Sequence, residues 1–206
     1  GGKRKKQVVA LQAELPELPK QETVEQMLLS YIENRDYSGA ATFIDFFVSE
    51  MNQPCTEEIR LWKGYSLFHL GQYEEAINVY KRYLDENPEE TAIYLYISSC
   101  LFYLQEYEQA REFAMKGPSG DYRTRLLFHI GHKLNDDKLL YESHSQLVGT
   151  LENQLSLAAI HYLRSHFQDA IEIYQKLLME NPDYIALNVY IAMCQFKLGQ
   201  YEQSNE

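Results

Sequence analysis

The residues of this sequence that could most readily do chemistry are its histidines, of which His129 and His132 lie three positions apart. In a helix this spacing places both imidazoles on one face. A zinc site needs three or four His, Cys or carboxylate ligands, and His144 is the only further candidate nearby. We therefore expect no metal and no cofactor. His161 is expected to be a hydrogen-bonded core residue rather than a ligand.

Acidic pairs such as Glu74-Glu75 and Glu89-Glu90 could supply a general acid and base. They fall on faces that are expected to meet solvent. The sequence contains no glycine-rich phosphate loop, nucleophile elbow or kinase signature. We therefore predict neither an enzyme nor a small-molecule substrate, and no catalytic or cofactor-binding residues.

Composition and charge narrow the class of partner. The 206 residues are 45% hydrophobic and 24% charged, enough to bury a core, and the net charge is −11. The segment 1–20 is predicted to be flexible. It is basic, with Lys3-Arg4-Lys5-Lys6, and the net charge of the remaining residues is therefore more negative than −11. An acidic body argues against nucleic acid or an anionic membrane as the main partner. The uncharged stretch 91–105 is shorter than the roughly 20 residues of a spanning helix.

An internal repeat dominates the sequence. GQYEEAINVY (71–80), QEYEQAREFA (105–114) and SHFQDAIEIY (165–174) each carry an aromatic residue three positions before alanine, and the step from Ala76 to Ala110 is 34 residues. This period resembles the tetratricopeptide repeat, two antiparallel helices whose small residues allow close packing. Proline after Asn87 and Asn181 is expected to end helices.

The repeat predicts an all-α fold of tandem antiparallel helical hairpins, a tetratricopeptide-repeat α-solenoid that forms a right-handed superhelix. A break in the period leaves room for one shorter hairpin, with helices at 122–134 and 137–148 and a turn with capping residues at Asn135-Asp136. The last copy ends in its second helix, so we expect a fragment of a longer protein. The array spans 21–206, with hairpins at about 21–56, 57–90, 91–120, 121–150, 151–184 and 185–206.

Such an array binds partners in a concave groove lined by its first helices. The groove positions expected in this repeat are apolar and aromatic here, whereas a chaperone-tail clamp would need Lys, Asn and Arg to hold a carboxylate. We therefore expect the groove to take an apolar helix or another array. The alternative is that the aromatic residues pack within the solenoid. The predicted partner-binding residues are Tyr65, Phe68, Phe102, Tyr103, Tyr162 and Phe196.

Particular segments resemble one family rather than repeats in general. RLLFHIGHKLNDDKL (125–139) and SLAAIHYLRSHF (156–167), with the sequence that continues to 204, are similar to the intraflagellar transport protein 56 family, also called tetratricopeptide repeat protein 26. ENRDYSGAATFIDFF (33–47) and LWKGYSLFHLGQYEEA (61–76) are similar to its first repeats. The resemblance is weakest over 77–124.

The resemblance implies a non-catalytic subunit of intraflagellar-transport complex B. Members of that family associate with complex B chiefly through its subunit 46 and help to bring motility-related cargo into cilia and flagella. The implied location is the cilium or flagellum and basal body, with a cytoplasmic pool. The alternative is a generic tetratricopeptide-repeat adaptor in another assembly, such as a chaperone co-factor or another transport-complex subunit.

Overall fold

The fold is all-α, as predicted. The computed structural model describes residues 21–50, 56–147 and 149–204, so the predicted flexibility of 1–20 lies outside the described residues. The helices are α1 Gln21–Glu33, α2 Tyr37–Ser49, α3 Glu57–His69, α4 Tyr73–Glu86, α5 Ile93–Tyr103, α6 Tyr107–Lys116, α7 Asp121–Leu134, α8 Asp137–His144, α9 Leu151–Leu163, α10 Phe167–Glu180 and α11 Ala186–Ser204.

The chain divides into two compact units, Gly1–Gln72 and Tyr73–Glu206. The division falls in the turn of the hairpin predicted at 57–90. In unit 1, α2 packs against both α1 and α3. Side chains from all three helices form its core. Side-chain caps begin two of these helices: Asp36 caps α2 by accepting from the Gly39 amide, and Thr56 caps α3 by accepting from the Ile59 amide. The core residues are Val24, Leu28, Ala40, Ile44, Phe47 and Ile59.

In unit 2 the helices α4 to α8 form consecutive packed pairs, and α10 packs against both α9 and α11. In addition, α7 contacts α5 and α9. One core cluster joins the last three helices, and it contains Ala158, Phe167, Ala170, Ile171, Tyr174, Leu177, Leu187 and Cys194. A second cluster joins α7, α8 and α9 through Phe128, Leu140, Leu147 and Ile160. Among the described residues, none of the helices is both long and apolar enough to cross a membrane.

The alanines that define the repeat are fully buried. Ala40, Ala76, Ala110 and Ala170 each have 0% exposure. A small side chain lets two helix backbones approach closely, and any larger one would force them apart. The aromatic residue four positions after two of these alanines is buried too, since Tyr80 and Tyr174 have only 4% and 6% exposure. The repeat in the sequence therefore arises from the positions at which helices pack closely against one another.

Each hairpin turn contains one residue in the left-handed region of backbone conformation. This residue lies two positions before the first residue of the second helix. In unit 2 these are Gln105, Asn135 and Ser165, with φ of 66°, 53° and 63°. Only Asn among them is favoured there, because the β-carbon of other residues crowds the following carbonyl. The turn geometry is thus imposed by the packing of the two helices rather than by local preference.

The structure has a short hairpin at the break in the period, formed by α7 and α8. Asn135 ends α7 in the left-handed conformation, and the Asp136 side chain caps α8 by accepting from the Leu139 amide at 3.0 Å. The α7 and α8 backbones approach so closely that a β-carbon added at Gly131 would lie 3.1 Å from the Leu140 nitrogen. The second helix ends at His144 rather than at the predicted position 148.

The predicted stops at Asn87 and Asn181 are confirmed, since α4 ends at Glu86 and α10 at Glu180. The last helix differs from the prediction. The repeat predicts a turn at Gly199 before a second helix, but α11 continues through Gly199 to Ser204.

A buried polar contact joins α7 to α9 and gives a stability prediction. The fully buried Asn153 accepts a hydrogen bond from Arg125 Nη1 at 2.9 Å. Replacing Arg125 with methionine keeps most of the packing of its stem but removes the donor. We expect Arg125→Met to lower the free energy of unfolding by about 1–3 kcal/mol, measured by urea denaturation. Arg82→Met on an exposed face of α4 is the matched control, and an equal loss in both variants would contradict a role for this contact.

Candidate protein-binding surface

Unit 1 carries an aromatic cluster of Tyr37, Trp62, Tyr65, Phe68 and His69, in which α3 supplies every ring except Tyr37. The Tyr65 ring lies edge-to-face with Trp62 at 5.6 Å and with His69 at 4.4 Å between centroids. Tyr37 stacks on His69 at 4.4 Å, and Phe68 meets His69 edge-on at 5.4 Å. Trp62 also packs against the core of unit 1, so it connects the aromatic cluster to that core.

Two side chains of this aromatic cluster, Tyr65 and His69, have pKa values shifted toward the neutral form. Burial raises the pKa of Tyr65, and the neighbouring Tyr37 raises it further through its charge and hydrogen bond. Burial also lowers the pKa of His69, helped by the positive charge of Arg35. Both shifts favour the neutral form, so the cluster presents mainly apolar ring surface, with 37% of Tyr65 exposed.

In unit 2, the neighbouring residues Phe102 and Tyr103 have different environments. Phe102 is half-buried and packs edge-on against Tyr107 of α6 at 5.4 Å and against His129 of α7 at 6.4 Å. Tyr103 is 57% exposed, and its ring stacks on Tyr73 of α4 at 5.2 Å with an interplanar angle of 11°. Phe102 is therefore largely structural, while Tyr103 offers an exposed ring that Tyr73 holds in place.

Tyr162 and Phe196 also differ in exposure. Tyr162 is half-buried and packs on Phe167 at 5.5 Å, in the same relation to its hairpin as Phe102 to Tyr107. It also lines an apolar cavity of about 250 Å³ together with Leu163, Tyr174 and Met193, among others. Phe196 on α11 is 64% exposed.

The six predicted groove residues are therefore not equivalent. Tyr65, Tyr103 and Phe196 present exposed rings, whereas Phe68, Phe102 and Tyr162 are half-buried among other side chains. The structure brings Tyr65 and Phe68 together in unit 1 and places the other four in unit 2. Sequence reasoning missed Tyr37 and Tyr73 as supporting rings, although their position three residues before the repeat alanine was a usable signal. A role of these six residues in partner binding stays a prediction.

Among the histidines, His161 departs from its expected place in the core. His129 packs between Phe102 and Phe128, and His132 is half-buried with a buried Nδ1 atom. His161 was expected in the core, but it lies in the last turn of α9 and 27% of its side chain is exposed. Burial lowers its pKa, and the carboxylate of Asp169 opposes that shift. Its Nδ1 atom is 3.7 Å from an Asp169 oxygen, which is an ion-pair distance only when the ring is protonated.

The acidic pairs and the two cysteines in the described part of the chain have ordinary surroundings. Glu74, Glu75, Glu89 and Glu90 are all exposed, as predicted. Cys100 and Cys194 are free and buried, and burial raises the pKa of the Cys100 thiol to about 12. A thiol with so high a pKa is a poor nucleophile at neutral pH.

Comparison with known proteins agrees with this geometry. Residues 60–206 match the family model described as intraflagellar transport protein 56, and residues 27–91 match the tetratricopeptide repeat. The intraflagellar transport protein 56 homolog of Caenorhabditis elegans is 36% identical over 170 residues. That alignment covers 82% of this chain and 30% of the relative, so the chain spans about a third of the relative's length.

Two solved structures show the same fold at low sequence identity. A thermophilic tetratricopeptide-repeat protein of Thermus thermophilus is 18% identical, with a TM-score of 0.72 and coverage of 86% of this chain and all of that chain. A tetratricopeptide-repeat protein of Parabacteroides merdae is 16% identical, with a TM-score of 0.59, covering 88% and 75% of the two chains. The fold is a tetratricopeptide-repeat α-solenoid, and the chain belongs to the intraflagellar transport protein 56 family.

Proposed function

We propose that this chain is part of a non-catalytic, protein-binding scaffold subunit of intraflagellar-transport complex B, which helps to carry motility-related cargo into cilia or flagella. The observation that carries the proposal is the family match over residues 60–206. The tetratricopeptide-repeat fold supports it, because arrays of this kind present extended surfaces for protein partners. The protein works at the cilium or flagellum and the basal body and has a cytoplasmic pool.

The chemistry of the exposed rings favours an apolar protein segment as the partner. Tyr65 and Tyr103 each lie against other rings, which lowers the conformational entropy that a contact residue loses on binding. Aromatic residues held in this way are frequent anchors of protein interfaces. The net charge of −11 disfavours nucleic acid and anionic membranes as main partners. We propose complex B subunits, chiefly subunit 46, and ciliary cargo as the partners.

A matched pair of tyrosine variants tests the surface. We expect Tyr103→Ala to weaken binding of complex B subunit 46 by roughly 30-fold, or about 2 kcal/mol, if this ring is an interface anchor. Tyr141→Ala is the control, because Tyr141 is 76% exposed on α8 and outside the predicted groove. Affinity is measured by isothermal titration with full-length protein, and circular dichroism verifies that both variants retain their helices. Equal affinities of the two variants would contradict an anchoring role for Tyr103.

The alternative function, a chaperone co-factor, makes a different prediction. It requires basic and amide side chains that hold a terminal carboxylate, and neither first helix at 57–70 nor that at 91–104 contains an asparagine. We expect a short acidic C-terminal peptide to show no saturable binding in a fluorescence titration. Micromolar binding of that peptide would favour the chaperone function instead.

A further inference from the structure

The turn between α9 and α10 gathers three side chains able to bind a metal ion. His161 lies in the last turn of α9, His166 directly precedes α10, and Asp169 lies in the first turn of α10. One possible ligand atom from each lies within 4.8 Å of those of the other two. His161 Nδ1 and Asp169 Oδ2 are 3.7 Å apart.

The backbone of the turn sets this arrangement. Ser165 adopts the left-handed conformation with φ of 63°, and the His166 amide then donates to the His161 carbonyl at 2.8 Å. This hydrogen bond fixes the two histidines on either side of a tight reversal. His166 makes no side-chain capping hydrogen bond to α10, although its position is one where capping side chains are common. Its imidazole is therefore not required for capping.

We propose that His161, His166 and Asp169 form a binding site for a divalent transition-metal ion of the zinc type. Two imidazoles and one carboxylate are a ligand set that zinc accepts, with water in the fourth position. Ligand atoms about 2.0–2.1 Å from a tetrahedral ion lie about 3.3 Å from one another. The 3.7 Å separation of His161 and Asp169 is close to that value, and a ligand atom of His166 lies within 4.8 Å of both.

The surroundings of the site are compatible with a cation. Arg164 is the nearest cationic side chain on the same turn, and its Nη2 atom pairs with Asp137 at 3.2 Å. That ion pair offsets the charge of the guanidinium, and Arg164 borders the same cavity as the two histidines. His161 and His166 also border a cavity of about 310 Å³ next to α8 and α9, which leaves room for a coordinated water. A bound ion would tie the end of α9 to the start of α10 and stabilise that hairpin.

Zinc titration of the full chain under reducing conditions tests the site. Isothermal titration calorimetry is expected to show one saturable zinc ion per chain. We expect His166→Gln and Asp169→Asn each to weaken binding by roughly tenfold or more, because each removes a direct ligand. The matched controls, His69→Gln in unit 1 and Asp183→Asn beyond α10, should bind zinc as tightly as the unmodified chain, since both residues lie outside this turn.

A second readout separates this site from zinc bound by thiols. Cobalt(II) bound to imidazole and carboxylate ligands gives visible absorption bands without the thiolate charge-transfer band in the near ultraviolet. His166→Gln and Asp169→Asn should both lose the visible bands. Circular dichroism verifies that the variants are folded, which is expected because His166 and Asp169 are exposed. The proposal is overturned if zinc binding does not saturate, if both variants bind as tightly as their controls, or if the cobalt spectrum is that of a thiolate site.

Discussion

Replacing Phe128 with alanine is expected to lower the free energy of unfolding by about 3–5 kcal/mol. Phe128 is 1% exposed and is among the largest fully buried side chains. Its ring packs in the cluster with Leu140, Leu147 and Ile160, at the point where three helices meet. Truncation removes the buried apolar surface and leaves a cavity that fixed helix backbones cannot close, so both losses add.

Urea denaturation followed by circular dichroism measures the Phe128 effect. The matched control is Phe196→Ala, because Phe196 is 64% exposed and its truncation opens no cavity. We expect the control to change stability by about 0.5 kcal/mol or less. A loss below about 1 kcal/mol for Phe128→Ala would mean that the three-helix cluster does not hold this part of the protein together.

The second large effect is a loss of stability in mild acid that depends on His129. Burial lowers the pKa of His129 from 6.5 to about 4, and the positive charges of His132, Lys133 and Arg125 add to the shift. Between these two pH values the unfolded chain takes up a proton that the folded chain does not. Stability from this group is therefore complete above pH 6.5 and falls as the pH drops toward 4, by about 3 kcal/mol in all.

Replacing His129 with phenylalanine tests this pH dependence. We expect His129→Phe to lose much of the destabilisation between pH 6.5 and pH 4, measured as urea midpoints at a series of pH values. Tyr141→Phe on the exposed side of α8 is the control and should keep the original pH dependence. Parallel stability curves for His129→Phe and the unmodified chain would contradict the assignment to His129. His132 and His161 also have pKa values lowered chiefly by burial, so some acid sensitivity should remain.

The hairpin pattern could be predicted from the sequence because close helix packing and tight turns each require particular residue types at fixed positions. Ala110 must be small where α5 and α6 cross, and Asn135 suits the left-handed turn that Asp136 follows with a cap. Both requirements concern residues close together in the chain. The end of α7 and the start of α8 were therefore predicted to within a residue, without any knowledge of the tertiary structure.

The exposure of individual rings could not be predicted in the same way. Phe102 and Tyr103 are adjacent aromatic residues, and only the position of α4, α6 and α7 around α5 decides that Tyr103 faces solvent and Phe102 does not. The group formed by His161, His166 and Asp169 was missed for a related reason. Its spacing fits no single helix, and the left-handed Ser165 is what brings the three side chains together.

Affinity purification of the tagged full-length protein from ciliated cells, followed by mass spectrometry, tests whether this family member is a scaffold subunit of intraflagellar-transport complex B. We predict that complex B subunits, with subunit 46 prominent among them, are recovered with the tagged protein and not with an unrelated tagged tetratricopeptide-repeat protein. Recovery of chaperones or of another assembly, without complex B subunits, would contradict the proposed function.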